Sequence, residues 1–251
     1  MKQSRLVVLW RKEMLDLPRN AGALVPVAIV GLMALVLPFT VTLVIPAVTG
    51  YRLGDDTDLI HVSRMVASRV ELTADGRVQL FLFQQFLMLF LLIPITGAMA
   101  LAAHAVIGEK QARTLEPLLA TPLSTFELLA AKVLGALVPT LAIAGALLAA
   151  YFAGISVLAE PGVLGALLTR RTAVLLLLVG PAVAMVALQA ALVISSRVND
   201  PRTAQQFGVL LIMPLTALLV AQFSGWTLLS AGVLIWVGLG LLVVWALLAL
   251  V

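Results

Sequence analysis

Six apolar stretches follow one another between residues 21 and 250, and they constrain this chain more than any other feature. A helical bilayer crossing needs about 20 predominantly apolar residues. The stretches are 21–49, 80–107, 128–153, 173–194, 207–223 and 227–250, separated by short polar segments. With 62% hydrophobic and 11% charged residues, 251 residues hold too little polar surface to coat a soluble globule. The expected fold is all-α: a single polytopic membrane domain over 1–251 with six transmembrane helices. Reading the last pair as a re-entrant hairpin would leave fewer crossings.

Before the first span, Leu6, Trp10, Met14 and Leu17 recur at helical spacing, with Arg5, Lys12, Glu13 and Asp16 turned elsewhere. This predicts an interfacial amphipathic helix within 1–20, ended by Pro18, with Arg19 and Asn20 at the membrane entry. The first apolar run is about twice as long as a signal-peptide core, so it is expected to remain as a span. Pro26, Pro38 and Pro46 within it predict a kinked or tilted helix, and Thr40 and Thr42 are expected to bond to their own backbone carbonyls. The 50–79 loop carries Asp55, Asp56, Asp58, Glu71 and Asp75 against Arg52, Arg64, Arg69 and Arg77. Leu59, Val62, Val66 and Val70 share one helical face there, which predicts a short amphipathic helix lying on the membrane. The acidic group reads as a solvated face, since no glycine-turned loop with a distal glutamate makes it a calcium site. Residues 156–172 read as a short return.

Orientation follows from the basic residues. Five lie in the N-terminal segment (Lys2, Arg5, Arg11, Lys12, Arg19), three in or just after 108–127 (Lys110, Arg113, Lys132) and two in 195–206 (Arg197, Arg202). The opposite face has six: Arg52, Arg64, Arg69, Arg77, Arg170 and Arg171. The positive-inside rule then places both termini and both short polar loops in the cytoplasm of a multi-pass protein of the inner cell membrane. Arg170 and Arg171 run against this pattern and are expected to contact interfacial lipid. The basic residues sit in clusters at the ends of apolar segments, which fits orientation in a bilayer and not nucleic-acid binding.

Catalytic constellations are missing. The sequence has no cysteine, no HExxH and no GxSxG, and His61 and His104 fall on opposite membrane faces. No GxxxxGK[ST] phosphate loop is present either, so a partner must bring the ATPase if ATP drives this protein.

The stretch GEKQARTLEPLLATPLSTFE, residues 108–127, gathers charge, two prolines and helix-start chemistry between two apolar walls. Ser124 with Glu127 forms a capping box that should start the third span. Thr114 is placed to cap a short helix with Glu116 in its first turn and Pro117 tolerated there, and Pro122 separates this helix from the next. Leu115, Leu118 and Leu119 would then lie at the cytoplasmic face, where water disfavours them unless something covers them. From these features alone, a docking surface and an ordinary loop packed on its own bundle stay equally open. In SSRVNDPRTAQQ, residues 195–206, Asp200 before Pro201 and Arg202 is a good helix start.

The run GEKQARTLEPLLATPLSTFELLAAK, residues 108–132, resembles the signature stretch of type-2 ABC transporter permeases, with its glutamate, T-L-E triplet, leucine pair, T-P and later lysine. WRKEMLDLPRN, residues 10–20, is similar to that family's N-terminal elbow, through Trp10, Lys12, Glu13, Asp16 and Arg19. SSRVNDPRTAQQ is similar to its second cytoplasmic loop, through Asp200, Pro201 and Arg202. The resemblance implies a non-catalytic permease subunit of an ATP-driven exporter, paired with a second permease protomer and two copies of an ABC ATPase. ATP and magnesium would be held by that ATPase, and this chain would need no cofactor or metal. It also implies that 108–127 is a coupling hairpin seated in a groove of the ATPase. Glu109, Arg113, Thr114, Leu115, Glu116, Leu118 and Leu119 would form or brace that contact. Members of the family often continue into a basic tail after the sixth helix, whereas this sequence ends on Leu250 and Val251.

Two other functional classes are an intramembrane enzyme and an ion-coupled carrier. The first lacks its catalytic groups. The second usually shows internal repeats and ionisable groups at mid-membrane, whereas His104, the one titratable group within a span, lies near the cytoplasmic end. Gln84, Gln85, Gln189 and Gln222 are the polar residues in or beside spans, and either substrate contact or helix–helix hydrogen bonding would account for them.

Overall fold

In the computed structural model the residues described are 5–16, 21–66, 71–111, 113, 125–198, 200, 203, 206, 213, 216, 217, 220 and 230–249. Every regular element among them is helical, and five helices are long and apolar enough to cross a membrane. The first span is Ala21–Phe39, a π-helical turn Thr40–Val44, and Ile45–Thr49. The second is Ala74–Phe86, a 3-10 turn Leu87–Leu91, and Leu92–Gln111. The third is Thr125–Leu158, unbroken despite Pro139. The fourth is Arg170–Val174, a π turn Leu175–Val179, and Gly180–Arg197, and the last is Ala231–Leu248. The expected span 207–223 lies outside the described residues, apart from the helical positions 213, 216, 217 and 220.

Caps set several boundaries. Thr73 accepts from the Gly76 amide at 2.9 Å, so the second helix starts at Ala74, six residues ahead of the apolar stretch. Thr169 accepts from the Thr172 amide at 3.3 Å and Ser230 from the Val233 amide at 3.3 Å. The first span stops at Gly50, whose φ of 69° is the left-handed conformation that closes a helix. Thr40 and Thr42 donate to the Val36 and Pro38 carbonyls, as their sequence setting predicts.

Contact pairs fix the direction of each helix. His104 of the second span lies over Gly22 of the first, and Phe39 meets Phe83 further along, so these two spans are antiparallel. Gly31 abuts Leu147 and Gly154 abuts Phe39, so the third runs with the first. Arg171 reaches Gln84 while Ile194 packs on Ile107, so the fourth runs parallel to the second. Gly238 abuts Leu178 and the Gln189 amide donates to the Leu248 carbonyl at 3.4 Å. The fourth and last spans are therefore parallel. Gly22, Gln111, Val198 and Leu248 thus mark one end of the bundle, called proximal below, and Gly50, Thr73, Glu160 and Ser230 the other, called distal.

The second span is the hub. Most of it is buried, and it packs against the first, third and fourth spans while the last span leans on the fourth. Lipid tails are as apolar as leucine, so close packing and internal hydrogen bonds, and not exclusion of water, hold such helices together. A methyl group at Gly97 would overlap the Thr140 side chain, so the second and third spans meet there backbone to side chain. Towards the distal end Tyr151 is fully buried. Its ring centroid lies 4.9 Å from Phe90, 5.7 Å from Phe39, 5.8 Å from Phe152 and 5.9 Å from Phe83, and its hydroxyl donates to the Phe83 carbonyl at 2.8 Å. That carbonyl also accepts from the Leu87 amide where the second span changes from α to 3-10 geometry.

The distal loop helix is Thr57–Val66. Leu59, Ile60 and Val62, on the face expected to lie on the membrane, pack on Val78, Phe81 and Leu82 of the second span. Val70, expected on the same face, lies outside the described residues. The 156–172 return contains the short helix Val163–Leu167, with Val163 and Leu167 fully buried.

Candidate functional site

The proximal end carries the polar segments singled out in the sequence. The second span reaches Gln111, with Glu109 in its last turn. Arg113 is exposed and has φ 55°, the one non-glycine positive φ among the described residues. A left-handed residue at this position ends a helix and redirects the chain. The next described helix begins at Thr125, directly after the serine of the expected capping box. Thr114, Leu115, Glu116, Leu118, Leu119 and Ser124 lie outside the described residues, so the expected helix, break and helix within 108–127 lies there too.

Beneath this segment, Ile107 is fully buried and packs against Ile194 and Val198. One apolar cluster therefore joins the base of the 108–127 segment to the base of the 195–206 loop. In that loop the Asp200 carboxylate accepts from the Thr203 amide at 3.1 Å and from the Thr203 hydroxyl at 3.0 Å. This is the helix-start geometry that Asp200 and its following proline predict; Pro201 and Arg202 lie outside the described residues. Lys132, the later lysine of the signature run, is 4% exposed in the second turn of the third span.

The N-terminal helix is Arg5–Asp16, and it packs against the third span. Trp10 is half-buried, with its indole Nε1 buried and unpartnered among the described residues. Lys12 is exposed, Glu13 and Asp16 lie within the helix, and Arg19 falls outside the described residues. The helix forms where the 3.6-residue spacing places it, and it adds packing on the third span that the spacing alone does not reveal.

Two of the four glutamines singled out in the sequence, Gln84 and Gln189, bond between spans, and Gln222 lies outside the described residues. Gln84 accepts from Arg171 Nη1 at 3.5 Å, and Gln189 ties the fourth span to the last. Arg171 is thus turned into the bundle and not towards lipid as expected, because Gln84 offers it an acceptor that hydrocarbon cannot; Arg170 is exposed. His104 is half-buried at the proximal end and His61 exposed at the distal end, so the two do not meet. No group of His, Cys, Asp and Glu able to hold a metal ion occurs among the described residues.

Five described helices long and apolar enough to cross a bilayer, joined by polar segments, make this a multi-pass membrane protein. The family model described as "ABC-2 family transporter protein" matches residues 60–250, and the chain belongs to that family. It is a membrane permease component of an ABC transporter, a class that is generally non-catalytic and that associates with an ABC ATPase. No curated protein and no solved structure matches the chain.

Proposed function

We propose that this chain is the permease half of an ATP-driven exporter. It works as a dimer of permease protomers and couples to two ATPase subunits through the 108–127 segment, with ATP and magnesium on the ATPase. The observation that supports this best is the left-handed backbone of Arg113, just past the foot of the second span, the hub of the bundle. A force applied there enters the helix that touches most of the others. Glu109 and Arg113 brace the hairpin, Thr114 and Glu116 start its helix, and Leu115, Leu118 and Leu119 are its apolar contact. The shared Ile107 cluster brings the Asp200–Arg202 loop into the same movement, and the N-terminal helix braces the third span from the side.

The parallel run of the fourth and last spans supports six crossings, since Val198 and Ser230 lie at opposite ends of the bundle. Ten basic residues on the proximal side against six on the distal side support a cytoplasmic proximal end, with both termini there, in the inner cell membrane. The test is Leu118→Asp combined with Leu119→Asp, co-reconstituted with the ATPase in vesicles. The variant inserts normally and loses transport-linked stimulation of ATP hydrolysis. Unchanged stimulation would refute the docking role.

A further inference from the structure

The distal end holds a cavity of about 400 Å³ that the transport reading leaves without a role. It lies between the distal part of the first span, the turn at 50–53, the start of the second span and the Glu160 loop. A volume of this order accommodates a small polar ligand. One wall is apolar, formed by Leu43 and Pro46 of the first span. The others carry Arg52, Asp75, Gln79 and Glu160.

Asp75, Gln79 and Glu160 are each held from behind and keep a free valence, and Arg52 is exposed. Asp75 Oδ1 accepts from the Gly54 amide at 2.6 Å. Glu160 Oε2 accepts from the Thr73 hydroxyl, and a Cβ at Gly76 would stand 3.2 Å from that oxygen, so the small residue leaves the carboxylate room. Gln79 is 8% exposed, and its Oε1 accepts from the Glu160 amide at 2.9 Å. The second oxygens of Asp75 and Glu160, the Gln79 amide nitrogen and the Arg52 guanidinium have no partner among the described residues. The Gln79 amide nitrogen is not sealed inside the protein, so a ligand or water in the cavity can meet it.

We infer that this cavity binds an ammonium–phosphate zwitterion, the headgroup of an aminophospholipid from the distal leaflet. The ammonium bridges Asp75 and Glu160, and Arg52 and the Gln79 amide hold the phosphate. A primary ammonium has three donors to offer two carboxylate oxygens, whereas a quaternary one has none. Arginine is the residue suited to phosphate. The apolar wall of Leu43 and Pro46 gives the first methylenes of the lipid a path along the first span. The inference requires only that these helices span a bilayer and is independent of docking at 108–127.

Native mass spectrometry of the purified full chain tests it, with short-chain phosphatidylethanolamine, phosphatidylcholine and phosphatidylglycerol, and with water-soluble phosphoethanolamine. Phosphatidylethanolamine binds about tenfold tighter than the other two lipids, the scale of one charge-assisted hydrogen bond, and phosphoethanolamine binds more weakly still. Glu160→Gln, which keeps an acceptor for Thr73, erases that preference, and Arg52→Ala, at an exposed residue assigned to the phosphate that all three share, weakens the three lipids together. Asp55→Asn, exposed and outside the cavity, leaves it intact. Equal binding of the three lipids, loss of preference in Asp55→Asn, or phosphoethanolamine binding as tightly as the lipid would each overturn the assignment. ATPase stimulation is not read, so failure here leaves the docking proposal untouched.

Discussion

Replacing Tyr151 by phenylalanine and by alanine separates two contributions made at one point of the bundle. Phenylalanine keeps the four ring contacts and removes only the hydroxyl that donates to the Phe83 carbonyl at 2.8 Å. That carbonyl retains the Leu87 amide, so no acceptor is stranded. The cost is that of one intramembrane hydrogen bond, about 0.6 to 1.5 kcal/mol, and the folded-to-unfolded ratio falls about threefold to tenfold. Alanine removes a side chain with 0% exposure. The resulting void sits among Phe39, Phe83, Phe90 and Phe152, and large-to-alanine changes at such sites cost about 3 to 5 kcal/mol. That is a fall of more than about a hundredfold. Denaturing-detergent titration in mixed micelles, followed by helical circular dichroism, measures both. If phenylalanine destabilises as much as alanine, the hydroxyl and not the packing carries the site. If alanine unfolds within about 1 kcal/mol of the wild type, the cluster does not hold the spans together and the reasoning fails.

Gly97→Val places methyl groups where Thr140 already lies and costs about 1 to 3 kcal/mol or more, whereas Gly145→Val, at a glycine with open space around it, changes little; the same titration compares them. In the distal loop the Asp56 carboxylate is held below its ordinary value, first by the Leu59 amide and then by the Tyr51 hydroxyl. Its folded pKa is depressed, so its contribution is present above the unfolded value and is lost as pH falls through the folded one, below about pH 4. Hydrogen exchange at the Leu59 amide should quicken on acidification across that range, and Asp56→Asn should remove most of the pH dependence.

Apolar length made the bundle legible, because no other fold accommodates so many uncharged residues in succession. Helix starts were legible where a hydroxyl or carboxylate precedes an apolar run: Asp200 caps as its residue type predicts. Thr73 was harder to read, since the six residues after it look like loop, and only their burial beneath the 57–66 helix makes them part of the span. The inward turn of Arg171 depends on Gln84, which is distant in sequence and adjacent only once the second and fourth spans run side by side in the same direction. The π and 3-10 turns each end two or three residues before a proline, Pro46, Pro94 and Pro181, which removes a backbone donor, but the proline alone does not say which kind of turn results. The distal cavity escaped because its polar walls come from three separate segments, whose residues each read alone as ordinary capping or loop residues. At the proximal end the family signature marked 108–127 as a unit, and the positive φ at Arg113 shows where the helix before it stops.

The non-α turns at 40–44, 87–91 and 175–179 all lie on the distal side of their spans' midpoints. From Gln111 back to Leu92 the second span is 20 residues of uninterrupted α-helix, a rod of about 30 Å. A sideways displacement at its foot cannot be absorbed along that length without breaking regular hydrogen bonds. The first compliant joint it meets is Leu87–Leu91, beside Tyr151. The bundle is therefore a set of stiff levers hinged far from the end at which they would be moved, so a small motion at the foot becomes a change of angle at the joint.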